Sequence, residues 1–203
     1  MFHRIGSIIA AAPLLWMSWT LARLWVDPAS NDDAASWVRF GVGLMLLEFV
    51  LLHSGVFVGA GVIAAKTLFK RILVFAGLLV FYGVFALALS LGISSRAVLE
   101  IYGFVMLGRF VSVLADAGSG TEMFIARSVG GTVIYLPMVF ASVLLPWPRL
   151  GITEELAAAA RTDNSSGVWV DEPHRAIGAA AIYFLLMGLI ELSVAFKKPG
   201  GKD

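Results

Sequence analysis

The chain has 203 residues, of which 59% are apolar and 14% are charged, with a net charge of +1 and no cysteine. Soluble domains are about a quarter charged, so the low charge and the repeated long apolar runs exclude a soluble domain and indicate a membrane protein. The near-neutral charge gives no basic surface for nucleic acid, and the lack of cysteine excludes disulfides, thiolate metal sites and cysteine nucleophiles.

The apolar runs predict an all-α integral membrane protein, a bundle of six transmembrane helices that forms one domain over residues 1–203. Each run is near the ~20 residues that a helix needs to cross ~30 Å of hydrocarbon. The first run is too long for the apolar region of a signal peptide, so we interpret it as a retained span. The predicted spans cover about residues 5–25, 38–65, 72–93, 97–115, 128–145 and 176–196.

The basic residues indicate how this bundle is oriented. If the N-terminus is cytoplasmic, all five lysines of the chain fall on the inner side, in agreement with the positive-inside rule. Both termini are then cytoplasmic, and the membrane is the plasma membrane or, in a bacterium, the inner membrane. Tryptophans flank the spans on the predicted outer side, as in an interfacial belt: Trp25, Trp37, Trp147 and Trp169.

One long loop, about residues 146–175, lies on the predicted outer side. Within it, Ile152–Arg161 is typical of a short amphipathic helix. Thr153 is a suitable N-cap, and Glu154 and Glu155 would stand in the first turn, where the helix dipole favours acidic side chains. The sequence therefore predicts a structured outer loop.

Four titratable residues within the spans form the only chemical lead. At ~1.5 Å per residue, Glu48 lies ~15 Å, Arg109 ~18 Å and His53 ~22 Å below the outer ends of their spans. Glu191 also lies ~22 Å deep, nearer the inner face. A charge at the bilayer centre costs a few kcal/mol on insertion scales. We therefore predict a buried polar cluster in which Glu48 contacts Arg109 directly.

Two interpretations of this cluster remain open. In the first, Glu48 and Arg109 form a structural clamp between helices, His53 donates to a backbone carbonyl, and Glu191 reaches toward the lysines of the inner side. In the second, the four residues form a working site that relays protons, since histidine titrates near neutral pH and a buried glutamate can be shifted toward it. Such a site could also hold an ion or a polar headgroup.

Metal or cofactor binding has little support, because the spans contain a single histidine and no Glu-x-x-His spacing. We predict neither a cofactor nor a metal. The remaining candidate ligands are His174, Asp171 and Glu172 on the outer surface. Gly55 and Gly59 form a Gly-x-x-x-Gly motif that allows helices to approach closely, either within the bundle or in contact with a partner or a second copy.

The sequence has no nucleophile elbow, phosphate-binding loop or dinucleotide fingerprint. We therefore expect a non-enzymatic protein of the lipid bilayer, an interaction or complex subunit, with no nucleic-acid partner. One alternative is a proton-coupled transporter of small solutes that uses the polar cluster, although the sequence has no visible internal repeat of the kind on which alternating access is usually built. The other is a membrane-embedded enzyme that acts on a lipid-like substrate.

Overall fold

The computed structural model describes residues 2–115, 119–162 and 166–196. These residues form helices joined by short turns, with no β-strand among them. The prediction of an all-helical chain is therefore confirmed for the described part. The helices are α1 (Phe2–Val26), α2 (Ala34–Ala64), α3 (Leu68–Gly92), α4 (Ala97–Ala115), α5 (Ser119–Leu144), α6 (Glu154–Ala160), α7 (Val168–Asp171) and α8 (Pro173–Phe196).

Among the described residues, three segments are long and apolar enough to cross a membrane, namely α2, α3 and the part of α8 from Pro173 to Ser193. Two shorter apolar segments lie in α4 and α5, at Ala97–Leu107 and Ser128–Leu144. These lengths and compositions support a membrane protein, because a helix satisfies all its backbone hydrogen bonds internally where no water is present.

Side-chain caps determine where several helices begin. The side chain of Asp33 accepts a hydrogen bond from the Ser36 amide (3.1 Å) at the start of α2, and Thr67 accepts one from Lys70 (3.3 Å) at the start of α3. Such a cap satisfies one of the four amides that a helix start leaves unbonded. The cap at Asp33 explains why α2 begins at Ala34, before the start near residue 38 that hydropathy predicts.

The predicted loop helix is present as α6. Thr153 is its N-cap and accepts from the Leu156 amide (3.2 Å). The loop is attached to the bundle by two further contacts: Trp25 Nε1 donates to the Pro148 carbonyl (2.9 Å), and Arg39 donates to the Ala159 carbonyl (3.3 Å). Residues 148–159 are therefore folded onto the end of the bundle where α2 begins.

The helix α2 is central to the packing, since it contacts α3, α4, α5, α6 and α8. It contributes to two apolar clusters. One joins it to α1, α5 and α8, around Met45 and Ile177; the other joins it to α3 and α4, around Leu47 and Phe75. The polar residues of α2 therefore lie between two groups of neighbouring helices.

Among the described helices, α1 and α8 share the most extensive contact. A Cβ atom at Gly178 would lie 2.9 Å from the rings of Trp25 and Trp147. One at Gly188 would lie 2.6 Å from the Leu15 side chain. Because these glycines allow close approach, the Ser18 hydroxyl reaches the Ala181 carbonyl across the pair (2.8 Å).

Candidate functional site

Glu48 lies on α2, half-buried, where α5 and α8 meet that helix. Its Oε1 atom accepts a hydrogen bond from the Tyr183 hydroxyl of α8 at 2.6 Å. The Tyr135 hydroxyl of α5 donates to the Met45 carbonyl of α2 at 2.7 Å. The two tyrosine rings pack edge to face, with centroids 5.6 Å apart. The two tyrosine hydroxyls, one from α5 and one from α8, thus donate to neighbouring acceptors of α2.

Arg109 joins α4 to α2 in a second group of contacts. The side chain is buried, at 8% exposure. Its Nη1 atom donates to the Ser54 hydroxyl (2.5 Å), and its Nη2 atom donates to the Leu51 carbonyl (2.6 Å). The planar guanidinium can reach both acceptors at once because its donors diverge in a fixed fork.

The predicted direct contact between Glu48 and Arg109 is wrong. Among the described residues, the hydrogen-bond partner of the Glu48 carboxylate is Tyr183, and Arg109 takes its acceptors from Leu51 and Ser54. These two residues lie three and six positions beyond Glu48, about 4.5 and 9 Å further along the helix. The sequence gives depth along a span only to within about one helical turn. This is too coarse to separate Glu48 from the acceptors of Arg109, which lie one to two turns further along α2.

His53 lies on the outward-facing side of α2. Its Nδ1 atom is 3.1 Å from the Phe49 carbonyl, and since a carbonyl only accepts, Nδ1 carries the hydrogen. The imidazole packs on the Phe49 ring, with centroids 4.0 Å apart, and Phe49 itself is 44% exposed. This contact agrees with the interpretation in which His53 donates to a backbone carbonyl.

Glu191 is buried in α8, at 8% exposure. It follows Tyr183 by eight positions, about 12 Å further along the helix. The structure therefore places Glu191 well below the level of the pair formed by Glu48 and Tyr183. The four predicted residues are spread along the bundle and over different helix faces instead of meeting at one point.

The three candidate metal ligands at the end of α7 and the start of α8 do not form a site. Asp171 binds Arg161 (3.0 Å), and Glu172 binds Arg175 (2.5 Å). Within residues 2–115, 119–162 and 166–196, no three His, Cys, Asp or Glu side chains are arranged to hold a metal ion. The structure therefore does not bring this trio together as a metal site, and each of its acidic residues is paired with an arginine.

Gly55 lies at a contact between helices of the same chain. A Cβ atom at this position would fall 2.1 Å from the Ser128 hydroxyl oxygen of α5 and 3.3 Å from Arg109 Nη2. The missing side chain therefore makes room for both neighbours. Gly59, one helical turn further along, is also buried. The face that carries Gly55 is thus covered by α4 and α5.

Described residues line at least four cavities. One of them, about 510 Å³, is an apolar groove between α3 and α4. One of about 350 Å³ lies between α2, α5 and residues 166–170, and one of about 40 Å³ lies beside Arg39 and Thr162. The fourth, about 320 Å³, lies between the start of α2 and the start of α4. None of these four is lined by Glu48, His53 or Arg109.

Three residues with important contacts, Tyr183, Tyr135 and Ser54, are not among those that the sequence indicates. A signal for the tyrosines was present, because a phenol within an apolar run requires a hydrogen-bond partner when it is buried. The sequence does not say which helix supplies that partner.

No protein-family model, curated protein or solved structure matches this chain. The contacts of its own residues are therefore the basis for any functional conclusion.

Proposed function

We propose that this chain is a non-enzymatic integral membrane protein, an interaction or complex subunit, whose intramembrane polar residues hold its helices together. One observation carries the proposal. Side chains from three helices donate hydrogen bonds to acceptors of α2, namely Tyr135 of α5, Arg109 of α4 and Tyr183 of α8. In hydrocarbon no water satisfies such groups, so polar side chains that face each other keep the helices in one arrangement.

We propose six spans for this protein, with both termini cytoplasmic. The helices α1, α4 and α5 have 25, 19 and 26 residues, close to the length that crosses the hydrocarbon core. They pack beside the three long apolar helices. The lysine distribution supports the orientation, and the membrane is the plasma membrane or a bacterial inner membrane.

The lipid bilayer is the first partner in this proposal. Only 17% of the most apolar stretch of α3 is buried within the chain, which suits contact with acyl chains. Gly55 is assigned to packing inside the bundle, because α4 and α5 cover it. Association with a partner or a second copy through Gly59 stays a prediction.

A double-mutant cycle at Glu48 and Tyr183 tests the clamp. Intramembrane hydrogen bonds contribute about 0.6 kcal/mol on average and up to about 1.7. We expect Tyr183→Phe to lower the unfolding free energy of the purified protein in bicelles. Glu48→Gln should retain stability, because the amide oxygen still accepts from the hydroxyl. A coupling energy of zero between Tyr183→Phe and Glu48→Leu would contradict the clamp.

A flux measurement separates the clamp from the proton-coupled transporter. Proteoliposomes that contain the full chain and a pH-sensitive dye in the lumen should show no more proton flux than empty vesicles under a pH gradient. Glu48→Gln should leave that result unchanged. Proton flux by the wild-type protein that disappears in a folded Glu48→Gln variant would overturn the proposal in favour of transport.

A further inference from the structure

A cavity of about 320 Å³ lies between the first turns of α2 and the turn that leads into α4. On α2 it is lined by Asp33, Ser36, Trp37 and Phe40, and on the other side by Ser95 and Ala97. The four positions of α2 follow an i, i+3, i+4, i+7 spacing, which puts them on one helix face. The volume is at the lower end of the range of about 300–1,000 Å³ that is usual for ligand sites.

Two aromatic rings meet at right angles in this cavity. The centroids of Trp37 and Phe40 are 5.7 Å apart, with an angle of 86° between the ring planes. Trp37 is 36% exposed, so part of the indole is accessible. The π face of an aromatic ring is electronegative and attracts cations, most strongly for tryptophan. The edge of one ring lies against the face of the other, and both rings line the cavity, so a cation held there would lie beside two aromatic side chains.

Asp33 adds a negative charge to the same cavity. The carboxylate accepts from the Ser36 amide through Oδ1 at 3.1 Å. Hydrogen bonds from Ser36 hold the pKa of Asp33 below its ordinary value, so the side chain is an anion at neutral pH. A single carboxylate is a poor site for Ca²⁺ or Mg²⁺, which take several oxygen ligands. Together with the rings, it suits a large, weakly hydrated organic cation.

Two arginines lie beside the cavity without lining it. Arg39 donates to the Ser36 hydroxyl (2.7 Å) and to the Ala159 carbonyl (3.3 Å), and it lines the separate 40 Å³ cavity. Arg96 is exposed and stands between Ser95 and Ala97 in the chain. The anionic and aromatic corner thus has cationic neighbours, an arrangement that complements a molecule with an ammonium group next to a phosphate.

We propose that this cavity binds a quaternary ammonium group, the chemistry shared by free choline and by the headgroup of choline phospholipids. Trp37 and Phe40 supply the π faces, and Asp33 supplies the counter-charge. This site is independent of the clamp between helices, since neither Glu48 nor Arg109 contributes to it.

The test uses the full chain in nanodiscs and two probes of equal shape, choline and its uncharged analogue 3,3-dimethyl-1-butanol. The indole N–H resonance of Trp37, assigned by its loss in Trp37→Leu, reports binding. We expect choline to shift this resonance saturably and to bind about tenfold more tightly than the analogue, since the uncharged analogue cannot make a cation–π contact. Equal binding of the two probes would overturn the proposal and leave these residues as an interfacial belt.

Asp33→Asn tests whether the negative charge of Asp33 contributes to choline binding without disturbing the fold. Asparagine caps helices about as well as aspartate, so α2 should begin as before while the negative charge is lost. We expect choline binding to weaken at least fivefold with no change in melting temperature. Trp16→Leu is the matched control, because Trp16 is an exposed tryptophan on α1; it should bind choline like the wild type. Unchanged binding in Asp33→Asn would refute the assignment of Asp33.

Native mass spectrometry of the protein with bound lipids distinguishes the two sources of the group. If the wild-type protein retains phosphatidylcholine in preference to phosphatidylglycerol, and Trp37→Leu and Asp33→Asn abolish this preference, the ligand is a phospholipid headgroup. Choline binding with no such preference identifies a soluble quaternary amine. Either result supports the site, whereas absence of both effects rejects it.

Discussion

The helices α2 and α3 follow each other in the chain but differ in how they are buried. The mean hydropathy of the most apolar stretch is 2.0 in α2 and 2.7 in α3, yet half of that stretch is buried in α2 and only 17% in α3. The less apolar helix is therefore the more buried one. Lipid can cover apolar side chains as well as protein can, whereas polar groups need protein partners.

Glycine substitutions should give the largest contrast between the two helices. In Gly55→Ala, the new Cβ would overlap the Ser128 hydroxyl oxygen, 2.1 Å away. We expect a loss of about 1–3 kcal/mol of unfolding free energy, as for other overpacked cores. In Gly77→Ala of α3, the new Cβ would have no neighbour within 4 Å beyond the adjoining residues and the backbone of its own helix. This variant should be neutral or more stable by up to about 1 kcal/mol. Unfolding in bicelles measures the free-energy change of both variants, and equal changes would contradict the expected contrast between α2 and α3.

Loss of a buried cation should have the next largest effect. Arg109→Met removes two hydrogen bonds from a charged donor to α2. Since bonds to charged groups contribute about 1.5–3 kcal/mol, we expect a loss of about 2 kcal/mol. The control is Lys70→Met in the first turn of α3, where the side chain is exposed and the change should be within about 0.5 kcal/mol. A thermal shift in Lys70→Met as large as that in Arg109→Met would contradict the assignment.

Two tyrosines allow a finer comparison. The Tyr183 hydroxyl donates to the Glu48 carboxylate, and the Tyr102 hydroxyl of α4 donates to the Leu79 carbonyl of α3, at 2.7 Å. Tyr183→Phe should cost about 1–1.5 kcal/mol, because the Glu48 carboxylate loses its donor. Tyr102→Phe should cost about 0.6 kcal/mol, since a carbonyl within a helix keeps its backbone bond. Chemical denaturation should rank the variants in this order, and the reverse order would count against the Glu48 contact.

The smallest effect should come from the helix caps. The cap of α2 is ionised, and hydrogen bonds from Ser36 hold the pKa of Asp33 below the ordinary value of 3.8. Its stabilising effect is present above that value and is lost as the pH falls through the lowered pKa. The cap of α3, Thr67, does not titrate. Hydrogen exchange should show that protection at Ser36 falls at pH 3 relative to pH 5, while protection at Lys70 does not. Asp33→Asn should remove this pH dependence.

Much of the helical framework could be predicted from the sequence, because its causes are local. Each of the six predicted spans overlaps a helix, and Thr153 caps α6 as expected, but α5 begins at Ser119, nine residues before the predicted span at 128. The start of α2 was placed four residues late, since hydropathy alone does not include the cap at Asp33. The sequence indicates Trp37 only as part of an interfacial belt and gives no role to Phe40, because the turn at Ser95 that completes the cavity lies far away in the chain.

By itself, the sequence determined that this protein is helical, that several of its helices are apolar enough for a membrane, and which residues are too polar to face lipid. These properties depend on windows of about 20 residues and on caps within one turn. Only the tertiary structure decided that Glu48 pairs with Tyr183 instead of Arg109, and that Arg109 binds Leu51 and Ser54. Such partners depend on how each helix is rotated and shifted against its neighbours, which the packing of distant side chains determines.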